Sequence, residues 1–153
     1  MNSHETLLYG NSFPVEGKTF KNAGYVSRQV KTLLQKMKFS KEVVRRAAIV
    51  TYEAEINICS YAERGKIDLK ITPERIIIEA KDEGQGIGDI EMAMKEGFST
   101  ATEKILRMGF GAGLGLSNIK HFSDSFQITS VVGKGTHLKM TIRTQPPAMK
   151  SPP

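Results

Sequence analysis

Two glycine clusters constrain this chain more than any other feature. The first, Asp82-Glu-Gly84-Gln-Gly86-Ile87, directly follows the isoleucine-rich run Arg75-Ile-Ile-Ile-Glu-Ala-Lys81. The second, Gly109-Phe-Gly111-Ala112-Gly113-Leu114-Gly115-Leu116, leads into an amphipathic segment. Ordering a glycine costs more backbone entropy than ordering any other residue, so such runs belong where the backbone turns sharply or approaches a ligand closely. A glycine run that opens a helix also aligns free N–H groups with the positive end of the helix dipole, an arrangement suited to phosphate. With a carboxylate at the first cluster, residues 80–116 read as a nucleotide site.

The rest of the chain bounds that reading. At 153 residues it fits one domain with a substantial core. Its 39% hydrophobic and 25% charged residues are ordinary for a globular protein. No apolar run approaches the roughly 20 residues that a membrane-spanning helix needs. The start, MNSHETLLYGNSF, lacks the basic region and apolar core of a signal peptide. Cys59, the single cysteine, falls in a predicted helix and has no partner for a disulfide, which fits a reducing cytoplasm. The formal charge of +6 is spread along the chain among acids, so it reads as a solvated surface and not as a nucleic-acid footprint.

Taken in order, residues 6–16 read as a first strand with a bend at Gly10 and Pro14, and Phe13 and Val15 as its inward face. Residues 18–37 carry Phe20, Val26, Val30, Leu33, Leu34 and Met37 at helical spacing. Ser40 reads as the N-cap of a second helix that reaches about Ala62 and is apolar enough to lie across a sheet. Glu53 and Asn57 are four apart on it and share a face with Val50 and Tyr61. Gly65 is a C-cap candidate for that helix. Strands are expected at 67–71 and 75–81, the second central because it is nearly continuously apolar, so that Asp82 sits at a strand end. A short helix at 89–96, a mobile stretch at 97–113 and a helix over 116–122 follow. A final hairpin pairs 126–132 with 136–143 about a turn at 133–135. The domain is expected over 6–144, between a disordered start at 1–5 and a disordered tail at 145–153 that holds four prolines.

The common nucleotide templates fail. A Walker A loop needs a leading Gly and a terminal Lys-Ser/Thr, but Gly133-Lys134 is followed by Gly135 and position 128 is Ile. The pattern G-x-G-x-x-G ends on Leu114 when started at Gly109 and on Leu116 when started at Gly111. The kinase glycine loop fails in the same way, and neither His-Arg-Asp nor Asp-Phe-Gly is present.

What remains resembles the four-box pattern of the gyrase, chaperone, histidine-kinase and mismatch-repair ATPase superfamily. The boxes are Glu53-Ala-Glu-Ile-Asn57, Asp82-Glu-Gly84-Gln-Gly86-Ile87, the run from Gly109 to Leu116, and Gly133-Lys-Gly-Thr136. The N-box Glu-Ala-x-x-Asn, together with Gly97-Phe-Ser-Thr100 after the second box, is similar to the bacterial anti-sigma-factor and switch-protein serine kinases, notably the small stressosome kinase. The likeness covers about residues 6–143. Two positions depart from it: the third box is closer to the histidine-kinase form, and Tyr61 stands where relatives often carry His.

The resemblance implies a two-layer α/β sandwich of the Bergerat type, with a mixed, mostly antiparallel sheet and a flexible ATP lid. It implies ATP and Mg²⁺ as cofactors. Asp82 would accept from the adenine amino group, with Gly84, Gly86 and Ile87 around the base and Thr136 completing the contact through a water. Asn57 would hold Mg²⁺ by its neutral oxygen. Thr100 and the backbone of Gly109, Gly111, Ala112, Gly113, Leu114, Gly115 and Leu116 would meet the nucleotide, the last six as the phosphate cradle. Glu53 would be the general base. Of the lid cations Lys104 and Arg107, Arg107 is the one expected at the γ-phosphate. The implied activity is serine/threonine phosphorylation of a STAS-type antagonist. The alternatives are an ATP-gated module that sequesters a sigma factor or other regulator, and hydrolysis without a protein substrate. Partners would be a STAS protein, a sigma factor or a phosphatase activator, without nucleic acid or membrane. The apolar first helix and first strand are candidate surfaces for a homodimer.

Overall fold

A computed structural model describes residues 6–95 and 115–145. In chain order the elements are β1 (Tyr9–Glu16), α1 (Tyr25–Lys36), α2 (Lys41–Tyr61), β2 (Ala62–Ile71), β3 (Arg75–Gly84), α3 (Ile90–Ala93), α4 (Gly115–Phe122), β4 (Ser125–Val131) and β5 (Gly135–Arg143). The strands form one five-stranded sheet in the order β1-β2-β3-β5-β4, and each neighbouring pair is antiparallel. The expected α/β sandwich is therefore present, with β3 at the centre of its sheet. The expected lid segment lies outside the described residues.

Period-two alternation decides which side of the sheet carries the helices. Thr136, Leu138, Met140 and Ile142 of β5 are buried while the residues between them are less so. On β3 the same face holds Ile76, Ile78 and Ala80, and continuing the alternation brings Asp82 and Gly84 to it. Ile67, Leu69 and Ile71 of β2 and Val15 of β1 add to the sheet's share of the core. Opposite them lie Val50, Ala54 and Ile58 of α2, Val26, Val30 and Leu34 of α1, and Ile119 of α4. Removing each such side chain from water is worth about 1.5–3 kcal/mol, so this layer is the main source of stability.

Helix α2 starts as expected. The Ser40 Oγ accepts the Val43 N–H at 3.2 Å, satisfying a donor that the helix itself cannot. It ends differently. Gly65 does not cap it; Ala62 is already extended, and the chain runs directly into β2. Gly65 instead pairs with Asp82 across the sheet, where a β-carbon would press on the Lys81 carbonyl at 2.8 Å and on Ile58 at 3.0 Å. The glycine is needed because α2 crosses closely above it.

Helix α1 begins at Tyr25 and not at 18. Lys18 and Gly24 both take positive φ, at 57° and 94°, which breaks the helical run. The Phe20 side chain still packs on the core, so its apolar spacing was real while its helical setting was not. α1 has no side-chain cap of its own. Its first N–H groups are met from α2, where Glu55 Oε2 accepts from Val26 at 3.1 Å and Oε1 accepts from Ser27 at 3.2 Å. Ser27 Oγ then donates to the Ala48 carbonyl at 2.9 Å, tying the two helices twice. The short helix α3 is capped by Asp89, whose Oδ1 accepts the Met92 N–H at 3.0 Å. Among the described residues, no helix is long and apolar enough to cross a membrane.

Candidate nucleotide site

Glu53 and Asn57 lie one turn apart on α2 and both are half-buried, where isolated surface polar residues would be fully exposed. Val50, expected on their face, is fully buried. The Glu53 side chain meets α4. Asn118 donates a side-chain hydrogen bond to it, and a β-carbon built on Gly115 would lie 3.3 Å from its Oε2. Burial raises the Glu53 carboxyl above the usual carboxylate range, and the Asn118 bond opposes that rise. A carboxylate of raised pKa thus stands beside the first residue of a helix whose N-terminus attracts anions.

The second carboxylate is Asp82, at the end of β3. Its Oδ1 accepts the Thr136 N–H at 3.1 Å, joining two residues 54 positions apart. Burial raises its pKa too, and the Thr136 bond works against the shift. Thr136 is buried at 7% exposure, and its Oγ1 lies 2.9 Å from Ser130 Oγ. Ser130 Oγ also accepts the Ile87 N–H at 2.7 Å and donates to the Gly135 carbonyl at 3.0 Å. The second box and the final hairpin are therefore one hydrogen-bonded unit.

Gly86 belongs to that unit through its backbone. Its φ of 75° suits glycine, and a β-carbon would run into the Val131 carbonyl. Gly84 has less room than open solvent: a β-carbon would meet Asp82 Oδ1 and the Tyr61 carbonyl, both at 3.1 Å. Gly115 and Leu116 open α4, and Leu116 packs on the core. Thr100, Lys104, Arg107, Gly109, Gly111, Ala112, Gly113 and Leu114 lie outside the described residues.

Three side chains that organise this region were not singled out from the sequence. Ser130 follows Phe126 and Ile128 at period two on a core-facing side, and a polar residue at such a position is a signal in itself. Asn118 lies on the first turn of α4 with no pattern to mark it. Glu55 sits between the two residues of the N-box, with 1% exposure.

A family model described as "Histidine kinase-, DNA gyrase B-, and HSP90-like ATPase" matches residues 42–146. The chain belongs to this ATPase family. The match begins at the second residue of α2 and extends beyond β5, so the ATPase domain includes Glu53, Asn57, Asp82, Gly115 and Thr136. Among curated proteins, the chain is similar to the "Serine/threonine-protein kinase RsbT" of Bacillus subtilis (strain 168). The two are 36% identical over 98 residues, covering 64% of this chain and 62% of that protein. It is also similar to the "Anti-sigma F factor" of Thermoanaerobacter sp. (strain X514), at 37% over 100 residues, or 65% of this chain and 62% of the relative. The "Anti-sigma F factor" of Pasteuria penetrans is 26% identical over 117 residues, 76% of this chain and 75% of its own. The matched region thus spans about three fifths of the length of the first two relatives.

An ATPase family implies ATP. The donor set fits it: an acceptor carboxylate at one end of the helix-bearing face, and a helix N-terminus with a flanking carboxylate at the other. Asn57 offers the neutral oxygen that a hard cation accepts, and among the described residues no group of three or more His, Cys, Asp or Glu could hold a metal.

Proposed function

We propose that the chain is a cytoplasmic, ATP- and Mg²⁺-dependent serine/threonine kinase, with its working domain over residues 6–144, that phosphorylates a STAS-type antagonist in a partner-switching pathway. The observation that carries this reading is the half-buried Glu53 carboxylate of α2, of raised pKa, set against Gly115 at the start of α4. The similarity to the kinase of Bacillus subtilis supports it independently.

In this reading Asp82 Oδ2 accepts from the adenine amino group, while Oδ1 stays on the Thr136 N–H. The N–H groups of Gly115 and Leu116, with those of 109–114, meet the phosphates. Arg107 would neutralise the γ-phosphate and Thr100 would contribute to nucleotide binding. Mg²⁺, held by Asn57 and the phosphates, would neutralise charge on the transferred group. The substrate hydroxyl oxygen forms a bond to the γ-phosphorus, and the bond from that phosphorus to the bridging oxygen breaks. The hydroxyl proton passes to Glu53, and ADP leaves with the bridging electron pair.

The test is transfer of labelled γ-phosphate to candidate STAS proteins. Transfer that disappears in Glu53→Ala supports the reading; no transfer to any of them, with Glu53→Ala indistinguishable from the unaltered chain, overturns it. A second reading, a nucleotide-gated anti-sigma factor, is favoured by relatives of that name at 36–37% identity. ATP-dependent capture of an RNA polymerase sigma subunit without phosphate transfer would select it.

A further inference from the structure

Ser130 Oγ has three polar neighbours: the Ile87 N–H at 2.7 Å, the Gly135 carbonyl at 3.0 Å and Thr136 Oγ1 at 2.9 Å. A hydroxyl has one proton to donate and two lone pairs with which to accept. The Ile87 N–H can only donate, so it occupies one lone pair. The Gly135 carbonyl can only accept, so it takes the proton. The second lone pair is then left for Thr136, which must donate its own hydroxyl proton to Ser130. This is the one assignment that satisfies all three contacts at once.

Its consequence falls on Thr136. With its hydroxyl proton directed to Ser130 and its N–H directed to Asp82 Oδ1, Thr136 offers a ligand only oxygen lone pairs. Asp82 Oδ2 offers lone pairs as well. The wall made by the two residues is then uniformly accepting. Such a wall suits a purine whose sixth position carries an amino group, a double donor. It disfavours a purine with a carbonyl there, which would bring an acceptor against acceptors. Without Ser130, the Thr136 hydroxyl could rotate and donate to that carbonyl, and the Ile87 N–H would lose its partner.

We propose that Ser130 is a positioning residue for nucleobase choice: by accepting the Thr136 hydroxyl proton, it makes the base pocket select 6-amino over 6-oxo purine nucleotides. The proposal rests on the reading of Asp82 as the nucleobase acceptor. Ser130 acts through Thr136 and the 85–88 loop and does not itself touch the base.

The experiment measures equilibrium binding of ATP and ITP to the full chain and to its Ser130→Ala, Ser130→Thr and Thr136→Val variants, with folding followed by circular dichroism. ITP replaces the 6-amino group of ATP by a carbonyl and the N1 acceptor by an N1–H donor, without the extra amino group of GTP. In Ser130→Ala the preference for ATP over ITP is expected to shrink about tenfold, the worth of one hydrogen bond, and Ser130→Thr is expected to restore it. Adding Thr136→Val to Ser130→Ala should abolish the gained ITP binding, because the rotating hydroxyl is gone. Equal weakening of ATP and ITP in a folded Ser130→Ala variant overturns the proposal and leaves Ser130 a structural residue. If that variant does not fold, Thr136→Val alone decides: lower ATP affinity with unchanged ITP affinity supports the proposal, and parallel loss overturns it. An unaltered chain that binds neither nucleotide would sink the nucleotide-site reading, and with it this inference. Preserved ATP selectivity that Asp82→Asn removes and Ser130→Ala does not would sink the Ser130 inference alone.

Discussion

The Glu53 carboxylate in the middle of α2 stands against the first residue of α4: a β-carbon on Gly115 would lie 3.3 Å from Glu53 Oε2. That gap is tighter than ordinary van der Waals contact. Asn118, on the same helix as Gly115, holds the same carboxylate by a hydrogen bond. Helix α4 therefore supplies both the space that the carboxylate occupies and a donor that orients it.

Gly115→Ala should separate chemistry from stability. Alanine suits a helix better than glycine by up to about 1 kcal/mol, so the melting temperature should hold or rise. The added methyl group displaces the Glu53 oxygen by a few tenths of an ångström, and phosphate transfer should fall about tenfold or more because the base is misplaced. Steady-state kinetics and thermal melts on the same preparation check this. An unchanged transfer rate would remove Glu53 from the base role.

Glu53 should also set the acid limb of the pH–rate profile. Its folded pKa is raised, so it takes up a proton at higher pH than an exposed glutamate, whose pKa is about 4.3. The rate should therefore begin to fall, as pH is lowered, above that ordinary value. Asn118→Leu removes the bond that opposes the rise, and the limb should move to higher pH still. Profiles of kcat for both proteins provide the comparison, and a limb that moves downward would contradict the assignment.

For Asp82, function and stability should part company. Asp82→Asn can keep an oxygen for the Thr136 N–H but turns the other position into a donor. ATP affinity should drop about tenfold or more. The folded pKa of Asp82 is raised, so its favourable share of stability is present below the unfolded pKa and is lost as pH rises through the folded value. At neutral pH the unaltered chain has lost that share, so Asp82→Asn should melt no lower than it. The melting temperature of the unaltered chain relative to the variant should improve on acidification. Calorimetry at several pH values, with nucleotide titrations at neutral pH, tests both halves.

Glu55 should prove structural. It is buried at 1% exposure and caps α1 through Val26 and Ser27. Glu55→Ala leaves those N–H groups without their acceptor and opens a cavity, at a cost of about 2–4 kcal/mol. Glu55→Gln keeps one acceptor and should cost less. Urea unfolding gives the magnitude, and hydrogen exchange at the Val26 and Ser27 amides gives the location. Exchange at those amides that is unaffected by Glu55→Ala would count against the cap.

Much of this arrangement was legible beforehand where the signals are local. Ser40 announced α2 because a cap and its N–H partner lie three residues apart. The alternation of β5 and the apolar run of β3 announced their strands, since period two needs no distant partner. Gly65 misled because glycine after a helix is a common cap, while its actual cause, the approach of Ile58 and the Lys81 carbonyl, is a matter of packing. Lys18 and Phe20 misled because apolar spacing alone does not reveal a backbone that turns to positive φ.

By itself, the sequence determined the order of helices and strands and the four boxes of an ATPase of this family, because those are written in short-range spacing. The tertiary structure alone decided that Glu55 caps a helix 29 residues away, that Ile87 hangs on Ser130 at 43 and that Asp82 holds Thr136 at 54. Such bonds depend on sheet register and on how α2 crosses the sheet. A one-residue slip of register would turn Asp82, Ser130 and Thr136 to the other face, and no local pattern records which register wins.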